Sequence, residues 1–276
     1  VNKKLPAFSK GFFSMRAWVQ QIEPTSPYYL ASVQAAHWFG QRGYEIIPFH
    51  TNEIELGRLD EDLLTKPDEM VLRGGVGTVC RALVRAGRPY PPHLDLPESL
   101  AAWQGRQVRH STLGVVRREV ETPSFKACHI KPTQTHKLFT GMVVRAFRDL
   151  IPTAHLPDDV PILLQGFVEF VSEWRASVLR DRIVHVGYYR GDPLLFPAAD
   201  CMRSALDAFH DRPIACAMDW GVTRSGETLL VEVNDAYSLG NYGVRGPEYT
   251  AMIEARWREL MGLKDNGAGR NLYEFA

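Results

Sequence analysis

Ala215–Gly243, ACAMDWGVTRSGETLLVEVNDAYSLGNYG, reads as two β-strands around a turn at Ser225-Gly226, because β-formers flank a Gly-containing pair. A two-residue loop sets Arg224 against Glu227, and counting back along the ladder sets Asp219 opposite Glu232. Side chains alternate along a strand, so Asn234 falls on the face of Glu232. Directly opposed side chains have Cβ atoms about 5 Å apart, where like charges destabilise the pair. Two readings are open. Either a divalent cation is held by the two carboxylates and a carboxamide oxygen, hard ligands of the kind Mg²⁺ takes beside phosphates, or the acids form a solvated face. A one-residue bulge would shift Asp219 out of this register. LLVEVND, an apolar strand carrying only Glu232 and Asn234 on one face before a Gly-punctuated loop, suits a site mounted on a rigid element.

Upstream, FKACHIKPTQTHKLFTG (Phe125–Gly141) reads as a strand ending at Lys131-Pro132, then a polar loop carrying Lys137. Alternation puts Phe125, Ala127, His129 and Lys131 on one face. A lysine ending a strand suits a phosphate contact, since its ammonium is a point charge with three donors; an exposed edge lysine is the plain alternative. Ile162–Gln165 reads as a short buried strand and Gly166–Phe170 as a connector. Arg175–Leu179 and Ile183–Tyr189 form a hairpin around Arg180-Asp181-Arg182. Arg175 is placed to stabilise anionic charge, with Glu169 and Glu173 nearby.

The first third alternates strand and helix: Met15–Gln20, a helix from Ser26 or Pro27 to near Gly43, Glu45–Phe49, Glu69–Leu72, and a helix Thr78–Arg85 capped by Thr78. This order implies a small parallel sheet flanked by helices. The RGGVG turn lacks the third glycine of a dinucleotide-binding loop, although it sits where open α/β sheets bind ligands. The proline-rich stretch at 89–97 marks a boundary.

Lysine plus arginine and aspartate plus glutamate both number 32, so no general attraction to nucleic acid or an anionic membrane is expected. Hydrophobic residues at 45% and charged residues at 23% are globular values, which argues against disorder. No apolar run reaches the length of a membrane span. Four cysteines without C-x-x-C spacing, and no export signal, are expected to be free thiols in a reduced cytoplasm, and the scattered histidines make zinc improbable.

Taken in order, these pieces resemble the ATP-grasp superfamily of carboxylate–amine ligases and related ATP-dependent enzymes. The resemblance rests on Lys131-Pro132, the loop with Lys137, Leu164-Gln165-Gly166-Phe167-Val168, Glu173-Trp174-Arg175, Asp219 and Glu232-Val233-Asn234. The ending DAYSLGNYG is similar to a branch found in bacteria and phages. The resemblance covers about residues 98–262. It implies an α/β chain, α+β in its C-terminal part: an ATP-grasp domain at 96–276, with subdomains of about 96–165 and 166–276, preceded by a small Rossmann-like α/β domain at 1–95.

The resemblance further implies ATP and Mg²⁺ as cofactors. Lys131, Lys137, Gln165, Gly166, Phe167, Val168 and Glu173 would bind nucleotide, while Asp219, Glu232 and Asn234 would bind metal. Arg175 and Lys137 would act in catalysis, and Arg190, Tyr237 and Asn241 on the substrate. Family members carry a further lysine just before the Lys-Pro strand. RQVRHSTLGVVRRE offers only arginines there, and Arg109 is the expected substitute. The implied reaction activates a carboxylate of a small molecule or peptide for attack by an amine. Phosphotransfer on the same scaffold and a non-catalytic nucleotide-binding module are the alternatives.

Overall fold

The computed structural model describes residues 15–26, 28–133 and 138–270. The N-terminal third folds as β1 (Arg16–Gln20), α1 (Tyr29–Gln41), β2 (Glu45–Phe49), α2 (Asn52–Glu55), β3 (Met70–Arg73) and α3 (Val76–Arg85). The three strands form a parallel sheet with β1 in the centre. β1 carries consecutive buried residues, Ala17, Trp18 and Val19, as a parallel strand covered on both faces requires.

The start of α3 differs from expectation. Gly75 is the N-cap, and Thr78 lies in the first turn with its hydroxyl 2.8 Å from that of Thr51. The Gln20 carboxamide accepts from the Gly75 amide at 2.8 Å, so a side chain from β1 takes the role expected of a threonine cap.

Two four-stranded antiparallel sheets follow. The first, ordered β4-β7-β5-β6, contains β4 (Val108–Thr112), β5 (Cys128–Pro132), β6 (Met142–Val144) and β7 (Pro161–Gly166), with α4 (Leu113–Glu119) after β4. The second, ordered β11-β10-β8-β9, contains β8 (Phe170–Leu179), β9 (Arg182–Gly191), β10 (Ala215–Thr223) and β11 (Thr228–Asp235), with α5 (Ala199–Ala208) between β9 and β10. A final helix, α6 (Gly246–Leu260), ends the regular structure.

That last helix changes how the N-terminal unit is understood. Expected as a unit ending at 95, the parallel sheet shares one core with α6: Phe39, Phe49, Leu72 and Leu83 pack in the same cluster as Tyr249, Met252, Ile253 and Trp257. α6 is buried nearly all round, and three of its charged residues are satisfied by distant partners. Glu254 accepts from Arg42, Arg256 donates to Asp235, and Arg258 donates to Asp68. Separate clusters fill the space under α5 and under α4.

The β10–β11 hairpin has the expected outer register and a different interior. Its loop holds three residues, Arg224-Ser225-Gly226. Thr223 N–H donates to Glu227 at 2.9 Å, and Gly226 adopts a positive φ of 85° that a side chain would strain. This displaces the ladder by one, pairing Val222 with Thr228 and Trp220 with Leu230. A bulge at Val231 restores it, so Asp219 faces Glu232 after all. The bulge also reverses the face. Leu230 points into the core beside Trp220, and Glu232, two residues on, lines a cavity on the opposite face.

Candidate functional site

The facing surfaces of the two antiparallel sheets enclose a cavity of about 520 Å³. β5 contributes His129 and Lys131, β7 contributes Gln165 and Gly166, and the connector contributes Phe167, Val168 and Glu169. The second sheet adds Glu173, Tyr189, Arg190, Val231 and Glu232. The volume and the mixture of an apolar wall with a few convergent charges suit a small organic ligand. A hollow of about 500 Å³ beside Arg42, Asp265 and Arg270 includes none of the expected site residues.

At one end of the cavity lie the three expected metal ligands. Asp219 is 2% exposed, and Arg175, facing it from β8, donates Nε and Nη2 to Oδ1 and Oδ2 at 2.7 and 2.6 Å. Asn234 Nδ2 donates to Asp219 Oδ2 at 3.1 Å and to Glu232 Oε1 at 2.9 Å. Lys131 donates to Glu232 Oε2 at 3.2 Å and also to Asp95.

Three cationic or donor groups therefore neutralise the opposed carboxylates. Burial raises Asp219 above its ordinary value against the pull of Arg175, and the charges of Glu232 and Glu173 add to the rise. Burial also pushes Glu232 upward, but Lys131 and Asn234 together outweigh it and hold the group low.

The donor set fits a hard divalent cation. The Asn234 amide bonds both carboxylates, so one point is within reach of all three side chains, and turning the amide presents its oxygen there. Among the described residues no group of three or more His, Cys, Asp or Glu is placed to hold a metal, so the third protein oxygen would have to be that carboxamide.

Glu173 is fixed by Arg190, which donates Nη1 at 2.7 Å, and by the Tyr189 hydroxyl at 3.0 Å. His129, on the Lys131 face, is held below its ordinary value by burial and then by the charges of Lys131 and Arg106. These groups make the cavity suited to an anionic ligand with a metal at one end.

A family model described as an ATP-grasp domain, the second family of one clade of that superfamily, matches residues 103–252, more than half of the chain. The chain belongs to the ATP-grasp superfamily. Solved structures of the same fold agree. A RimK-domain ATP-grasp protein from Sphaerobacter thermophilus aligns over 87% of this chain and 98% of its own, at 14% identity and a TM-score of 0.56. The D-cycloserine synthetase DcsG aligns over 88% and 99%, at 12% identity and 0.56. The ADP complex of PurK, N5-carboxyaminoimidazole ribonucleotide synthetase, aligns over 92% and 78%, at 12% and 0.54. No curated protein sequence matches the chain.

Within this ATP-grasp frame, Lys131, Gln165, Gly166, Phe167, Val168, Glu173, Arg190 and Glu232 line the cavity, whereas Arg175, Asp219 and Asn234 are not in its lining and are bonded to one another behind Glu232. Lys137 lies outside the described residues.

Arg109 is not brought into the cavity. It sits exposed on β4 and pairs with Glu119 of α4 at 2.9 Å. From this part of the chain the arginine that lines the cavity is Arg106, three residues earlier, beside β11.

Tyr237 is likewise elsewhere. It is buried in the core beneath the parallel sheet and shares a hydrogen bond with Cys80, where burial pushes its phenol upward. Asn241 is absent from the cavity lining and uses its carbonyl to accept from Val244.

The residue of that loop which does reach the site is Tyr242. Its ring lies 4.2 Å from the Arg175 guanidinium and 5.9 Å from the Tyr189 ring. Tyr189, Arg106 and Arg145, whose guanidinium lies 4.7 Å from the Phe167 ring, are among the further cavity residues that the sequence reading did not assign to the site. Tyr189 had a signal in its position next to Arg190, since the site face includes both.

The RGGVG turn contacts the loop after β11 rather than the cavity. Ser238 donates to the Gly74 carbonyl at 2.9 Å, and Arg73 to that of Leu239 at 3.4 Å. Among the described residues no helix is long and apolar enough to cross a membrane.

Proposed function

We propose that the chain is an ATP- and Mg²⁺-dependent ligase that activates a carboxylate as an acyl phosphate and passes the acyl group to an amine. The observation that carries this reading is the convergence of Lys131, Arg175, Asp219, Glu232 and Asn234 at one end of a cavity between two sheets. Phosphoryl transfer needs positioning and charge neutralisation more than covalent help from the protein, and this end supplies both.

Asp219, Glu232 and Asn234 would hold magnesium, which when bound neutralises charge on the phosphate oxygens. Lys131 would leave Glu232 for the phosphates while keeping Asp95 as counter-ion. Phe167 and Val168 would contact the base, and Glu173, fixed by Tyr189 and Arg190, would bind nucleotide hydroxyls. The further cationic charge expected from Arg109 would come instead from Arg145, since the donors of Arg106 are engaged by Gln104, Gln165, Leu230 and Val231. Arg175 would steady the oxygens of the transferring group. Its planar fork, fixed on Asp219 and faced by Tyr242, needs no reorganisation as charge develops.

A substrate carboxylate would then attack the γ-phosphorus and release ADP. The amine would attack the acyl carbon and expel phosphate, losing its proton to solvent or a nearby base. Small molecules and peptides with a free carboxylate or amine are the substrate classes.

The test is release of ADP and phosphate with ATP, Mg²⁺ and panels of carboxylates and amines, with mass analysis of the product. Phosphate release that requires the amine, together with an amide product, supports the reading. ADP release with a stable phosphorylated product and no amine requirement contradicts it.

A further inference from the structure

β11 is an edge strand, so among the described residues no further strand pairs with the outward N–H and C=O groups of the strand carrying Glu232 and Asn234, beyond a single bridge from Asp95 to Val233. Segment 95–106 provides partners. The Asp95 carbonyl accepts from Val233 N–H at 2.6 Å. Arg106 donates Nη1 to the Leu230 carbonyl and Nη2 to the Val231 carbonyl, both at 2.7 Å.

Successive carbonyls of an unbroken strand point to opposite edges, and two neighbours on one guanidinium fork therefore mark the bulge. The same arginine donates Nη1 to the Gln104 carbonyl at 2.8 Å and Nε to Gln165 Oε1 at 3.0 Å. It has no ion-pair partner among the described residues, and burial pushes it down to about 10.

The bulge decides where Glu232 points. Without the extra residue, Glu232 would share the face of Leu230 and enter the core under α5. With it, Glu232 faces Asp219 across the hairpin.

We propose that Arg106 is a positioning residue that locks the Val231 bulge, keeps Glu232 turned toward Asp219, and ties the metal strand to β7 through Gln165. Its consequence for metal affinity rests on the reading of Asp219, Glu232 and Asn234 as ligands. Lysine at 106 would keep the charge in the cavity but offers a point donor, which cannot span two carbonyls and the Gln165 oxygen.

The test compares wild type with Arg106→Lys in two measurements. The first is amide hydrogen exchange over 229–235 in the ligand-free protein. The second is calorimetric affinity for ADP with and without Mn²⁺. In the variant, exchange in this segment should rise about tenfold or more, while 182–191 stays unchanged. ADP affinity without metal should stay within about threefold, whereas the gain conferred by Mn²⁺ should shrink about tenfold or more.

Wild-type exchange across 229–235, an undiminished Mn²⁺ gain, or equal losses with and without metal would each overturn the proposal. Should the lysine variant not fold, Arg106→Gln is read by exchange alone, with the same criterion. A wild type that shows no Mn²⁺ gain would remove the ligand reading, while exchange would still decide whether Arg106 holds the bulge.

Discussion

Replacing Gly187 by alanine puts a methyl carbon well inside van der Waals contact with the carbonyl oxygen of Tyr242 and 3.0 Å from His185 Nε2. The obstacle is backbone, so the 240–243 loop must lift by about 1 Å or β9 must bend. Overpacking of this kind costs about 1–3 kcal/mol. Lifting the loop also withdraws the Tyr242 ring from Arg175, an interaction of about 1 kcal/mol for a ring that is 44% exposed. The expected total is about 2–4 kcal/mol, or a fall in Tm of roughly 4–8 °C for a chain of this size. Urea unfolding followed by tryptophan fluorescence reads it directly. A double-mutant cycle separates the parts. Tyr242→Ala should cost about 1 kcal/mol in the wild type and almost nothing in Gly187→Ala, where the ring is already displaced. A Gly187→Ala variant within about 0.5 kcal/mol of wild type would refute the placement of this loop. So would an undiminished cost of Tyr242→Ala in the alanine background.

Three further outcomes follow from the same geometry. Arg109→Ala should leave ADP affinity within about twofold and stability within about 0.5 kcal/mol, because its pair with Glu119 is exposed; calorimetry and urea unfolding check both. Arg145→Ala should weaken ADP binding by roughly three- to tenfold through loss of a cation beside Phe167, read in the same titration. The bonds from Arg180 hold Asp265 down, at about 2, against the opposing effect of partial burial. Its folded value lies below its unfolded one, so the stabilisation is complete above about pH 4 and is lost as pH falls toward 2. Asp265→Asn should therefore cost about 1–2 kcal/mol at pH 7, and the gap from wild type should close in acid.

Much of this was legible in local sequence. The alternation of LLVEVND, the Gly-containing turn and the Lys-Pro strand end each follow from period-two patterning and turn chemistry, and they place Lys131, Asp219, Glu232 and Asn234. The register of Asp219 on Glu232 was reached from an assumed two-residue loop. A three-residue loop and a compensating bulge produce the same pairing, and the bulge depends on Arg106 from another part of the chain. Arg106 and Arg109 differ by only three residues, and nothing local says which of them turns inward. Tyr237 and Tyr242 pose the same difficulty. Their loop is governed by Ser238 on Gly74, Tyr237 beside Cys80, and Gly187 under Tyr242, all contacts distant in sequence. α6 likewise gave no sign of joining the N-terminal core, because it is buried nearly all round and its mixture of apolar and charged residues does not say which sheet it covers.

The central claim is that Asp219, Glu232 and Asn234 form a metal-assisted nucleotide site. Calorimetric titration of ATP into wild type and Glu232→Ala, each with and without Mg²⁺, tests it most directly. The account expects Mg²⁺ to strengthen ATP binding about tenfold or more in wild type, and that gain to vanish in Glu232→Ala while weak metal-free binding persists. Equal Mg²⁺ dependence in both proteins, or no ATP binding under any condition, would contradict it.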